Sequence, residues 1–127
     1  MITKRQIKEK LSISEGTISN LPGFPNKIES NFLVNQALYR TEEVYSWLIK
    51  AINQRNGCKQ YSNDITKERI IRISELTNYL NISRSYAYDQ IQKGSLPPLV
   101  KIGERASGFL LSEINAKLKE CGIAPIE

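Results

Sequence analysis

Ser83, Arg84, Ser85, Tyr86, Tyr88, Asp89, Gln92 and Lys93 crowd into one short stretch of the chain. Hydroxyl, guanidinium, amide and phenol groups at helical spacing suit hydrogen bonding to the edges of bases and to phosphates. Little else in the sequence offers chemistry. There is no histidine, so the commonest general base is missing. Cys58 and Cys121 stand alone, without metal-ligand spacing, and default to intracellular thiols. No glycine-rich phosphate loop or nucleophile-elbow motif occurs. Glu42-Glu43 is first-turn helix charge, not an acid/base pair. These residues argue against an enzyme, a metal site or a small-molecule cofactor.

The elements that must position the stretch follow from local pattern. Ser74 is expected to cap a helix over residues 75–80, whose Leu76, Tyr79 and Leu80 form one apolar face. Asn81-Ile82 makes a short turn. Ser83 caps a second helix over residues 84–93, with Ala87 and Ile91 turned inward and Gly94 ending it. Prolines 97 and 98 lead into an edge strand over residues 99–102. A turn between Gly103 and Gly108 and a return strand over residues 109–111 complete a hairpin. Lys101 lies on it, and Arg105 sits near its tip, where an arginine can reach phosphate or a narrow minor groove. Ser112 is expected to cap a closing helix over residues 113–121, with Ile114, Leu118 and Cys121 in the core and Gly122 as the stop.

The same order occurs twice. Leu80-Asn81-Ile82-Ser83 echoes Leu11-Ser12-Ile13-Ser14, an offset of 69 (80 against 11), and Glu113-Ile114 lies over Glu43-Val44 at 70 (113 against 43). Such spacing implies a duplicated unit of roughly 50 residues, longer than a solenoid module. Helix, turn, helix, hairpin and helix is the order of a winged helix-turn-helix. The sequence therefore predicts a mainly α protein with small β-hairpin wings, a tandem winged helix-turn-helix. Its parts are a diverged copy over 1–55, a linker over 56–69 and a second copy over 70–127. Leu11, Ile13 and Ile18 should be buried at places equivalent to Leu80, Ile82 and Ala87.

The first copy departs from the second in chemistry. Thr3 caps its first helix and Ser14 its second, but Glu15 stands where Arg84 does, and Gly16 and Leu21-Pro22-Gly23 keep the second helix short. Phe32-Leu33-Val34 is the one candidate strand in place of the hairpin. Thr17, Ser19, Asn20 and Lys27 are its candidate DNA contacts. The helix from Glu43 to about residue 55 carries Val44, Trp47, Leu48, Ala51 and Ile52 as a core stripe. The connector Asn56-Gly57-Cys58-Lys59 is turn-rich, Tyr61 can pin it to either copy, and the tail over 123–127 carries no signal.

The chain carries 18 basic and 13 acidic residues, a net +5 that suits a polyanion partner. Residues 1–55 hold 8 basic and 5 acidic, and residues 70–127 hold 7 and 6, so contact by the second copy would rest on a few placed groups. No apolar run approaches a membrane span, and Met1 to Lys8 leads into no signal-peptide core. Copies of this size bury thin cores, so they are expected to pack together or to dimerise.

The second copy resembles the AlpA family. The resemblance rests on Leu80-Asn81-Ile82-Ser83-Arg84-Ser85-Tyr86-Ala87-Tyr88, then Lys93-Gly94-Ser95-Leu96-Pro97, then Val100-Lys101-Ile102-Gly103-Glu104-Arg105-Ala106, over about residues 70–122. It is similar to the family's L-S-R-S-T-I-Y-R-L-I-x-x-G-x-F-P followed by V-x-L-G-x-R-A. The resemblance implies a MerR-like or excisionase-like DNA-binding regulator of a prophage or other mobile element. Three positions depart from it. Asp89 stands where a basic residue is common, Gln90 where an apolar one is, and Phe109 where Trp is. Asp89 would repel phosphate or accept from a cytosine amino group.

The expectation is a non-enzymatic, sequence-specific double-stranded DNA-binding protein of the cytoplasm and nucleoid, acting alone, as a homodimer or as a cooperative assembly on DNA. Ser83, Arg84, Ser85, Tyr86, Tyr88, Asp89, Gln92, Lys93, Lys101 and Arg105 would carry the contacts, with Thr17, Ser19, Asn20 and Lys27 from the first copy. The alternative is a protein-interaction adaptor with vestigial DNA binding.

Overall fold

The computed structural model describes residues 1–32, 36–55 and 60–127. Among them are six α-helices and five short strands in two antiparallel sheets. Leu33, Val34 and the connector over 56–59 lie outside the described residues. No helix among the described residues is long and apolar enough to cross a membrane.

In the N-terminal half, β1 (Ile2–Thr3) runs into α1 (Lys4–Leu11). Thr3 and Gln6 cap α1 reciprocally: Thr3 Oγ1 accepts the Gln6 N–H at 3.1 Å, and Gln6 Oε1 accepts the Thr3 N–H at 2.9 Å. Ser12 takes a left-handed backbone (φ 55°) and stops the helix, while the Ile13 N–H returns to the Lys8 carbonyl. Ser14 then caps α2 (Glu15–Ile18), a single turn. β2 (Leu38–Tyr39) pairs with β1 and hands over to α3 (Thr41–Asn53).

The C-terminal half uses the same devices at the offsets read from the sequence. β3 (Ile70–Ile71) leads to α4 (Ile73–Leu80). Asn81 repeats the left-handed stop (φ 55°), and the Ile82 N–H returns to the Thr77 carbonyl. Ser83 caps α5 (Arg84–Gln92) through the Tyr86 N–H. Gly94, at φ 82°, ends α5 with a second such stop, in which the Ser95 N–H returns to the Gln90 carbonyl. β4 (Val100–Lys101) and β5 (Ser107–Leu110) form the hairpin, and α6 (Leu111–Glu120) closes the half. Ile2 pairs with Tyr39 as Ile71 pairs with Phe109, so strand register repeats as well as helix order.

The halves share one sheet. In the order β3-β5-β4, Ile71 and Phe109 face the α4–α6 core, while Ile70, Leu110 and Val100 face the other way into the core of the N-terminal half. Period-two alternation thus supplies both cores from the same strands. Three polar anchors hold the joint. Ser12 Oγ donates to the Ile70 carbonyl at 2.7 Å. Lys10 Nζ donates to the Ile65 and Glu68 carbonyls at 2.6 and 2.7 Å. Arg55 makes a bidentate pair with Glu113 at 2.7 and 3.0 Å.

Several expectations need correction. Leu11, Ile13 and Ile18 are buried, but Leu80 and Ile82 are only half-buried. The reason is the packing of the halves: the turn after α1 is covered by the shared sheet, and among the described residues nothing comparable covers the turn after α4. Ser74 and Ser112 are not caps. Each sits inside the first turn of a helix that begins directly from a strand, with Arg72 and Leu110 at the cap positions. Cys121 is exposed rather than in the core. The candidate strand at Phe32-Leu33-Val34 finds no support at Phe32, which is 87% exposed in a turn. Instead the Ile28 N–H bonds the Leu38 carbonyl, and Phe24 packs edge-on against Tyr39 and Trp47 where a hairpin would lie. Of the α3 stripe, Val44, Leu48, Ala51 and Ile52 are core as expected, whereas Trp47 is only half-buried and its indole N–H donates to the Pro22 carbonyl at 2.9 Å. The tail is tied down: Asn115 bonds the Ile126 backbone in both directions, and Ile126 is buried.

Candidate nucleic-acid interface

α5 buries one narrow face and exposes the rest. Ala87 is fully buried and Ile91 half-buried, while Arg84, Ser85, Tyr86, Tyr88, Asp89 and Gln92 are exposed. Two large phenols in water are uncommon on a short helix, and Tyr86 and Tyr88 remain 47% and 46% exposed. Ser83 Oγ is committed to the cap, accepting the Tyr86 N–H at 3.0 Å. Asp89 is paired with Lys93 at 3.0 Å, both exposed, so this carboxylate is locally neutralised. Arg84 has no ion-pair or hydrogen-bond partner among the described residues. The surface can therefore offer one unpaired guanidinium at the start of the helix, with hydroxyl and amide groups along it. Of the three departures from the family string, Phe109 is fully buried in the core behind α5. Gln90 is half-buried, and its carbonyl receives the Ser95 and Leu96 N–H groups.

The hairpin that follows α5 in the chain is narrow and firmly backed. The Ile102 and Gly103 N–H groups both bond the Ala106 carbonyl, which turns Glu104 and Arg105 outward. Gly108 allows β5 to touch β3: a Cβ there would come within 2.5 Å of the Ile70 side chain and 2.7 Å of the Ile71 carbonyl. Arg105 is exposed, as expected, but its hairpin does not stand clear of the body. Ile102, Gly103 and Ala106 are buried against the N-terminal half, with Leu21 opposite Gly103.

That packing sorts the other candidate residues. Thr17 and Asn20 line a cleft of about 750 Å³ that Arg105 also lines, together with Lys8 and Arg72. Lys101 does not line this cleft; it lines another hollow, with Trp47, Lys50 and Gln54. Ser19 and Lys27 lie on a third surface with Lys4, whose Nζ donates to Ser19 Oγ at 3.4 Å. Thr17 Oγ1 is hydrogen-bonded to Ser14 Oγ at 2.7 Å. Lys8 and Arg72 were not among the residues singled out from sequence. Their meeting depends on how the halves pack, which no local pattern encodes.

Residues 69–121 match the family model described as Prophage CP4-57 regulatory protein (AlpA). The chain is 42% identical over 53 residues to an uncharacterized protein, ORF88, of Enterobacteria phage P4. That alignment spans 42% of this chain and 60% of the relative's length. No solved structure matches the chain. The matched segment contains all of α4, α5, the hairpin and α6, so the likeness to the AlpA-like phage regulatory proteins takes in that whole run of elements.

Proposed function

We propose that this chain is a sequence-specific double-stranded DNA-binding regulator of a phage or mobile element, built as a tandem winged helix-turn-helix. One unit spans 1–55, a linker 56–69, and an AlpA-like, MerR-like unit 70–127. The observation that carries this reading is α5: a serine-capped helix with one narrow buried face, Arg84 unpaired at its start, followed in the chain by a hairpin that exposes Arg105. Arg84, Ser85 and Tyr88 enter the major groove, and Arg105 and Lys101 hold flanking backbone or minor groove. Bound so, the protein switches a mobile-element promoter or directs excision by bending DNA. The work is done at the chromosome, in the cytoplasm, without enzymatic chemistry.

An electrophoretic mobility assay on DNA upstream of its own gene, in a salt series, tests this. A specific shift that weakens with salt is expected. The adaptor reading draws on Glu15 at the start of α2 and on the Asp89–Lys93 pair, both of which lower the positive charge facing a polyanion. It predicts no shift on any duplex.

A further inference from the structure

The cleft between the halves has a floor of Ile13, Leu21, Gly103 and Ala106, contributed by both. Above it stand three cations from three elements. Lys8 comes from α1, Arg72 from the position before α4, and Arg105 from the β4–β5 turn. None has an ion-pair or hydrogen-bond partner among the described residues. Two carboxylates share the lining, Glu9 and Glu104, and Glu9 is already drawn to Arg5 at 3.6 Å. Arg72 is half-buried. A partly desolvated guanidinium without a counter-charge is unfavourable unless something outside the chain supplies one. Thr17 and Asn20 add hydroxyl and amide groups to one wall, opposite the hairpin.

We propose that this cleft holds a stretch of duplex DNA backbone, with Arg72 and Lys8 as phosphate contacts that exist only because the two halves pack together. The inference rests on the DNA-binding reading above and extends it: the halves act as one continuous surface, not as two independent heads. A polyanion fits because three cations from three separate elements, α1, the start of α4 and the hairpin turn, line the one cleft. In this arrangement the short α2, which carries no cation and begins with Glu15, needs no reading role of its own. It serves as the far wall of a phosphate channel.

Fluorescence-anisotropy titrations of the full chain against a duplex from upstream of its gene, at several salt concentrations, test this. The proteins are wild type, Arg72→Gln, Lys8→Gln and Lys119→Gln. Lys119 is exposed at the end of α6, away from the cleft. Each cleft variant should flatten the log–log salt slope by about 1, so that its affinity falls about three- to fourfold less than wild type between ~50 and ~200 mM salt. Lys119→Gln should keep the wild-type slope. Wild-type slopes for both cleft variants, or an equal loss for Lys119→Gln, would overturn the proposal while leaving DNA binding intact. A wild-type protein that binds no duplex would overturn the DNA-binding reading itself, visible before any variant is compared. Melting curves verify folding, and exposed Lys8 supplies a variant with little risk to the fold.

Discussion

Ser12 and Asn81 carry the same unusual backbone, φ 55°, at equivalent places, and neither is glycine. Asparagine tolerates this region because its short amide can bond locally; alanine cannot. Asn81→Ala should therefore destabilise the protein by about 1 kcal/mol in denaturant unfolding, with DNA affinity unchanged. An unaltered midpoint would mean that the turn relaxes to another conformation. Ser12→Ala should cost more, since it also removes the bond to the Ile70 carbonyl. Arg84 invites a different measurement. If it reads a base, Arg84→Ala should lose about 1–3 kcal/mol on target DNA and much less on random DNA. Equal losses on both would reassign it to a phosphate. Arg84 was legible in the sequence because it stands directly after a cap, and Asn81 because it falls in a short turn between helices; the left-handed backbone at Ser12 and Asn81 was not. Arg72 was not, because its significance comes from Lys8 and Arg105, each more than thirty residues away.

Helix α6 begins without a capping side chain of its own, and its cap comes from the chain between the halves. Glu68, only 4% exposed, accepts the Ser112 N–H at 2.9 Å and the Ser112 hydroxyl at 2.8 Å, and Tyr61 OH donates to it at 2.7 Å. A carboxylate at the first turn also opposes the helix dipole favourably. Serine at 112 suggested a cap in the sequence; it is instead the group being capped, which only the return of residue 68 reveals. Tyr61 does pin the connector, through Glu68 and through its N–H to Asn53. Glu68→Gln places an amide N–H₂ among donors and should destabilise by about 1–3 kcal/mol. A midpoint within error of wild type would remove Glu68 from the account of α6. The same network sets an alkaline limit. Burial first, and then the bond to Glu68, raise the Tyr61 pKa above its ordinary 10.0. The unfolded chain loses this proton near pH 10 while the folded one keeps it, so the contribution is full below that pH and falls as pH rises beyond it. Lys10, its pKa lowered by burial, acts in the opposite sense. Comparing wild type with Tyr61→Phe isolates the tyrosine: the variant's melting temperature should decline less steeply between pH 9 and 11, as about one group's linkage predicts.

At the scale of the molecule, the recurring order of helix, turn and helix was legible and the joint was not. The serine caps at Ser14 and Ser83 and the turns before them were legible to within a residue or two, since these features are local; the starts of α4 and α6, entered from strands, were not. The shared sheet depends on strands of two to four residues, too short for alternation to show which face meets what. Leu110 decides how the joint behaves. It is fully buried, lies on β5, and projects into the N-terminal core from the C-terminal half. Units of roughly 50 residues are marginal alone, so sharing this sheet should bind them into one cooperative transition. Leu110→Ala should cost about 2–5 kcal/mol by leaving a cavity at the joint. If the halves unfold together, calorimetry of wild type will show one peak whose calorimetric and van't Hoff enthalpies agree, and the variant will shift that peak whole. If the halves are independent, the wild type will show two transitions, or an enthalpy ratio well away from one, and the variant will move them unequally. That second result would also separate Lys8 from Arg72 mechanically. A channel built from both would then open whenever the weaker half did, and the salt slope of DNA binding should fall with temperature before the stronger half melts.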